Sequence, residues 1–139
     1  MSTTAKLSDA EARLFAEGRN FGTFVTLRAD GSPHATPVWV DFDGENVVIN
    51  TAQGRAKYRN LKRDPRVAVS VFSEENQEAY VTVNGVAEIV DEGQAAWEHM
   101  DTLERKYRGR NQFPRGGPQR VLVRIRPTRV NSDDLQLLS

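Results

Sequence analysis

At 139 residues the chain is long enough to bury one core and short for two, so one domain over 1–139 is expected. Cysteine is absent, which excludes disulfides and thiolate metal sites, and 19 acidic residues balance 19 basic ones, which argues against wholesale nucleic-acid binding. A mean hydropathy of −0.59, no apolar run near the roughly 20 residues that span a bilayer, and no leader-like start set the expectation of a cytoplasmic protein without a membrane partner.

In chain order, Ser8 and Glu11 form a capping-box pattern, which predicts a short helix to about residue 17, stopped by Gly18. Residues 21–27 are rich in β-branched and aromatic side chains and predict a strand, closed by the hairpin turn Asp30-Gly31. Strands over 35–42 and 47–51, joined at Asp43-Gly44, complete a predicted three-stranded meander. Pro37 lies inside the middle strand and cannot donate to a ladder, so that position faces an edge, a bulge or a bound molecule. A helix opens after Gly54, and strands follow over 67–72 and 79–90. At Asn84-Gly85 the phase of Val81, Val83 and Val86 shifts, which favours a bulge over a tight turn. Asp91 as N-cap and Gln94 three residues on predict a second main helix to about residue 108, carrying Trp97, Met100 and Tyr107 at helical spacing. Residues 110–118 read as a Pro- and Gly-rich loop, and 120–127 as a half-buried strand that alternates basic with apolar side chains. Six strands joined mostly by hairpins predict a mainly β, α+β fold, a small closed or split antiparallel barrel with two or three helices.

The balanced charge conceals two cationic stretches. Six of the Lys and Arg residues fall between Arg55 and Arg66, and nine between Arg105 and Arg129, a span with no acid. The first opens a helix directly after a strand. There the free N–H groups and the helix dipole favour an anion, Gly54 permits a tight turn, and Arg55, Lys57 and the Thr51 hydroxyl flank the junction. The pattern fits a phosphate clamp; the alternative is the solvated face of a surface helix.

Other chemistries lack parts. His99, among Glu98 and Asp101, reads as a surface residue, and His34 as a surface or pocket residue; neither has a second ligand at metal spacing, so no metal is expected. No Gly-x-Ser-x-Gly elbow and no Gly-x-Gly-x-x-Gly turn occurs. Glu74-Glu75 and Asp133-Asp134 read as hydrated loop pairs. Trp97 and Tyr107 suit packing, whereas Trp39 and Tyr80 suit core or pocket equally. A phosphate clamp without a protein-borne reactive group fits chemistry carried by a bound cofactor.

The segments Pro37-Val38-Trp39 and 51–67, above all Arg55-Ala56-Lys57 with Arg59-Asn60-Leu61, resemble the signature region of the pyridoxamine 5′-phosphate oxidase-like superfamily, and within it the deazaflavin-dependent reductases of actinobacteria. The likeness runs from about residue 7 to 135, including residues 26–34 and the closing Arg120-Val121-Leu122-Val123. It implies a split β-barrel homodimer with two cofactor sites in the grooves between subunits, binding coenzyme F420 or, in relatives, FMN. It also implies cofactor contacts at Thr36, Pro37, Val38, Asn50, Thr51, Arg55, Ala56 and Lys57, with Tyr80 supplied by the other subunit. F420 carries a phosphodiester and a glutamate chain, which the second basic stretch suits better than it suits compact FMN. The Arg-Leu-x-Pro substrate motif of the vitamin B6 oxidases is missing, since Arg124-Ile125-Arg126-Pro127 precedes a different ending. The activity implied is hydride transfer from reduced F420 to an electron-poor small molecule of quinone, enone or tetrapyrrole type. An FMN oxidoreductase or a non-catalytic F420 carrier are the alternatives, and no nucleic-acid partner is expected.

Overall fold

The computed structural model describes residues 4–138. Helix α1 (Asp9–Ala16) starts on the expected capping box: Glu11 N–H donates to Ser8 Oγ at 3.1 Å and Ser8 N–H to Glu11 Oε1 at 2.8 Å. It buries Leu14 and Phe15. Strands β1 (Phe21–Leu27) and β2 (Pro33–Trp39) form the first hairpin, its turn held by the Asp30 carboxylate accepting from Ser32 N–H and Oγ. Then come β3 (Asp41–Phe42), β4 (Val47–Ala52), α2 (Ala56–Arg63), β5 (Arg66–Phe72), β6 (Tyr80–Asp91), α3 (Gln94–Arg108) and β7 (Arg120–Asp133), followed by a 3₁₀ turn at Leu135–Leu137.

All pairings are antiparallel, in the order β2-β1-β5-β6-β7-β4-β3. The predicted meander holds at its third strand only where Asp41 and Phe42 pair with Val48 and Val47; along its length β4 pairs with β7 and not with β2. The predicted 35–42 strand is interrupted at Val40, whose backbone is taken by helix α3. Tyr107 Oη accepts from Val40 N–H at 3.0 Å, and Lys106 Nζ donates to Val40 C=O at 2.6 Å. A ladder cannot run through a residue whose donor and acceptor are spent on side chains. The two-residue β3 that remains makes the sheet seven-stranded rather than six-stranded.

Of the closed and split forms expected, the closed one is excluded. Strands β2 and β4 approach each other but form no ladder, so the sheet is not a closed barrel. Pro37 lies on β2 as an edge residue, where its missing N–H costs nothing. The seam that stays open between β2 and β4 is where the site forms.

The core lies between the curved sheet and the helices. Phe15, Phe24, Ile49, Val69, Val81 and Ile125 are all fully buried, each worth roughly 1.5 to 3 kcal/mol of apolar burial. The bulge at Asn84/Gly85 is present, and a side chain at Gly85 would collide with the Arg126 carbonyl oxygen and lie 2.8 Å from Ile125 Cγ2. The expected capping box of α3 does not form, because the N-cap is Gly93 rather than Asp91, although Asp91 still bonds the first turn from outside it. The Asp91 carboxylate accepts from Gly93 and Ala96 N–H at 2.9 Å, whereas Gln94 reaches forward to Glu98. Among the described residues no helix is long and apolar enough to cross a membrane, and no cluster of three or more His, Cys, Asp or Glu is placed to hold a metal ion.

Candidate active site

The junction of β4 and α2 brings together groups that suit an anion. Strand β4 is buried along its length and delivers Asn50, Thr51 and Ala52 to the seam. Gly54 then turns the chain at φ 90°, a conformation that suits only glycine there. Arg55 stands at the N-cap position of α2, with no side-chain cap bond on the first turn. The leading N–H groups of the helix thus lack a partner from the usual capping residues.

Around this turn three cations converge. Lys57 Nζ donates to Thr36 Oγ1 at 3.0 Å, and burial, with the charges of Arg55 and Arg120, holds its pKa below the usual 10.5. Arg120 on β7 donates from Nε to Asn50 Oδ1 at 2.9 Å; burial and Arg55 lower its pKa to about 10. The Thr51 hydroxyl oxygen is buried without a hydrogen-bond partner. Crowded like charges beside an unsatisfied hydroxyl and uncapped amides are a cost that an anion removes.

These groups border a cleft of about 410 Å³ whose walls carry Pro37, Val38 and Trp39 from β2, Asn50, Thr51 and Ala52 from β4, and residues of α3. A neighbouring recess of about 350 Å³ shares Pro37, Arg55 and Lys57 and adds His34, Thr36 and Ala56. Of the residues expected from the sequence, Thr36, Pro37, Val38, Asn50, Thr51, Arg55, Ala56 and Lys57 are thus brought together across the seam. Tyr80 is not. It lies on β6 opposite Phe72 of β5 and lines neither cavity of its own chain.

The remaining basic residues divide between structure and surface. Arg59 bonds Gly54 C=O, Arg63 bonds Leu27 C=O and Asn60, and Arg66 pairs with Asp64, whose pKa falls to about 2 beside it. In the second stretch Arg115 forks onto Asp101 and Arg124 meets Asp43. Only Arg108 and Arg120 of that stretch line the cleft, so it is not the continuous positive track that its composition suggests.

Sequence reasoning missed the contribution of α3. Met100, Leu103 and Arg108 line the cleft, and the recurrence of 100, 103 and 107 at helical spacing was the available signal. His99 is not a surface residue. Asn50 Nδ2 donates to His99 Nδ1 at 3.2 Å, which places the ring proton on Nε2, 3.1 Å from Asp41 Oδ2. The chain Asp41–His99–Asn50–Arg120 therefore runs from β3 into the cleft and orients the Asn50 amide, with Asn50 Nδ2 also bonded to Ala96 C=O. The Asp41 carboxylate is driven up by burial, but the bonds from His99 and Phe42 N–H outweigh that and lower its pKa.

A family model described as pyridoxamine 5′-phosphate oxidase matches residues 8–133. The chain is 30% identical over 132 residues to the F420H(2)-dependent biliverdin reductase of Mycobacterium tuberculosis, across 94% of this chain and 90% of that protein. The solved structure of an F420 reductase superposes with a TM-score of 0.71 at 30% identity, over 86% of this chain and 94% of that one. A conserved hypothetical protein of Mycobacterium tuberculosis follows at TM-score 0.66 and 28% identity, over 94% and 86%. With matches spanning almost all of its length, the chain belongs to the pyridoxamine 5′-phosphate oxidase family, in the branch that holds F420-dependent reductases.

Proposed function

We propose that the protein is an F420-dependent oxidoreductase that passes a hydride from reduced F420 to an electron-poor small molecule of quinone, enone or tetrapyrrole type. The observation that carries this reading is the polar end of the cleft, where the Thr51 hydroxyl has no partner and Arg55, Lys57 and Arg120 crowd one uncapped helix start. A phosphodiester matches that set in charge and in hydrogen-bond demand. Similarity to a reductase named for F420 supports the same cofactor.

Reduced F420, when bound, supplies the hydride from its ring. The chain supplies position. Arg55, Lys57 and the α2 amides would hold the phosphodiester, while Pro37 and Val38 on one wall and Asn50 to Ala52 on the other would border the ring. No carboxylate lines the cleft among the described residues, which leaves water or a nearby side chain such as the Lys57 ammonium to supply the proton that completes reduction. Acceleration rests on holding donor and acceptor in register, which removes orientational entropy from the barrier. The assembly in this reading is a homodimer in which Tyr80 reaches the cleft of the other copy. The solvent-facing cross-strand pair Phe72 and Tyr80 supports it, being 44% and 37% exposed.

The test is turnover of reduced F420 by the purified protein against a panel of quinones, enones and tetrapyrroles. Oxidation that depends on both protein and acceptor supports a reductase. F420 binding without turnover of any acceptor contradicts it and leaves a carrier, and FMN retained through purification overturns the cofactor.

A further inference from the structure

A second built corner faces the same cleft and takes no part in the phosphate clamp. Glu104 of α3 is fully buried, with Oε1 3.5 Å from Arg108 Nη1 and Oε2 3.6 Å from Arg110 Nε. Glu104 Oε2 takes no hydrogen bond, so this carboxylate serves the two guanidiniums and nothing else. One buried negative charge against two positive ones leaves the corner net cationic.

The Arg108 guanidinium lies 4.9 Å from the centroid of the Trp39 ring, and Trp39 is stacked on Tyr107 at 5.0 Å with the planes only 3° apart. The Tyr107 phenol is fixed beneath by donating to Asn20 C=O at 2.7 Å and accepting from Val40 N–H. The result is a layered stack of guanidinium, indole and phenol. Beside it Phe21, 5.7 Å from the Tyr107 ring, exposes 55% of its surface into the cleft mouth. An aromatic so exposed next to an ordered cation is a ready partner for a flat, anionic molecule. Trp39 is three residues along β2 from Thr36, about 10 Å at strand rise, so this corner is separate from the Lys57 end.

We propose that Arg108, paired with Glu104 and laid on Trp39, is the anchor for the hydride acceptor: it binds a carboxylate of a conjugated organic acid whose flat face rests against Phe21. The proposal rests on the cleft being the hydride-transfer site, and it narrows the acceptor from any electron-poor compound to a carboxylate-bearing one. A guanidinium whose fork is already oriented loses little freedom on binding a carboxylate, which makes it a determinant of acceptor choice rather than a general cation.

The test is titration by tryptophan fluorescence, without cofactor, using biliverdin and its dimethyl ester as probes of equal conjugation and different charge. The wild type is expected to bind the diacid about ten-fold or more tightly than the diester. Arg108→Gln is expected to remove that preference while F420 affinity, titrated separately, is unchanged; Arg108→Lys, which keeps charge but not the fork, falls between. The proposal is overturned if both probes weaken equally, if the wild type does not distinguish them, or if F420 affinity falls in Arg108→Gln, which would assign the residue to the cofactor's anionic tail. Failure of the F420 reading itself shows as absent F420 binding in the wild type and leaves the comparison of diacid and diester readable. In Arg108→Gln the buried Glu104 keeps Arg110, and in Arg108→Lys it keeps both charges; thermal melts of the two variants establish that the fold is retained.

Discussion

Lys57 donates from Nζ to the Thr36 hydroxyl across 3.0 Å, so the first turn of α2 is fastened to the edge strand β2 over the seam that β4 leaves open. One side chain thereby serves as a strut and, in the proposed site, as a charge of the clamp. Removing it costs a charge-assisted contact of about 1.5 to 3 kcal/mol, and Lys57→Ala is expected to weaken F420 binding by about ten-fold to over a hundred-fold. Thr36→Val removes only the strut, a neutral partner worth about 0.5 to 1.5 kcal/mol, and is expected to weaken binding by less than the lysine variant. Fluorescence titration of both variants checks the order; equal affinity of Lys57→Ala and wild type removes Lys57 from the clamp.

Arg120 carries a cost in the free protein. Burial and Arg55 both disfavour its charge, although Asn50 Oδ1 takes one of its donors. Arg120→Gln is expected to raise the melting midpoint of the ligand-free protein by about 2 to 4 °C, the shift that about 1 kcal/mol produces at this size. The same variant is expected to lose much of the stabilisation that inorganic pyrophosphate confers on the wild type. Calorimetry with and without pyrophosphate reads both, and a variant that melts lower yet keeps the pyrophosphate effect contradicts the crowded-cation account.

Lys106 ties three elements together, donating to Phe15 C=O at 2.5 Å and Val40 C=O at 2.6 Å, and burial lowers its pKa to about 8 despite the opposing charge of Asp41. Its folded pKa lies below the unfolded value of 10.5, so above about pH 8 the unfolded chain binds more protons than the folded one. Stability from this group therefore rises with pH between about 8 and 10.5. Tyr107, pushed to about 12 by burial, has the opposite sign and reduces stability once the unfolded tyrosine ionises above its ordinary 10. Urea titrations of wild type and Lys106→Met from pH 7 to 9.5 are expected to differ by a positive slope in the wild type; parallel profiles contradict a lysine held low.

Gly85 is tied to the bulge by close approach rather than by backbone angle. Gly85→Ala forces the Arg126 carbonyl and Ile125 side chain away, and overpacking of this kind costs about 1 to 3 kcal/mol. Urea denaturation reads the loss; an unchanged midpoint shows that β6 and β7 can separate there without strain.

Much of the frame is legible in the residues because its signals are local. Ser8 and Glu11 cap each other three residues apart, Asn84-Gly85 marks the phase shift of its strand, and Gly54 with Arg55 and Lys57 marks the strand-to-helix turn. What escapes local reading is made by distant pairs. Nothing near Val40 announces that Tyr107, 67 residues on, takes its N–H, yet that bond breaks the predicted strand and leaves the seam open. His99 meets Asp41 across 58 residues and Asn50 across 49, so its spacing from Glu98 and Asp101 carries no information about its role. The second basic stretch misleads for the same reason: Arg115 and Arg124 are spent on Asp101 and Asp43, partners that only the fold brings near.

The most direct test is equilibrium binding of F420 and of FMN to the purified protein, side by side, for wild type and Lys57→Ala. The wild type is expected to bind F420 more tightly than FMN, and the variant to lose that affinity. Tighter binding of FMN, or F420 affinity indifferent to Lys57, contradicts the proposed F420 site.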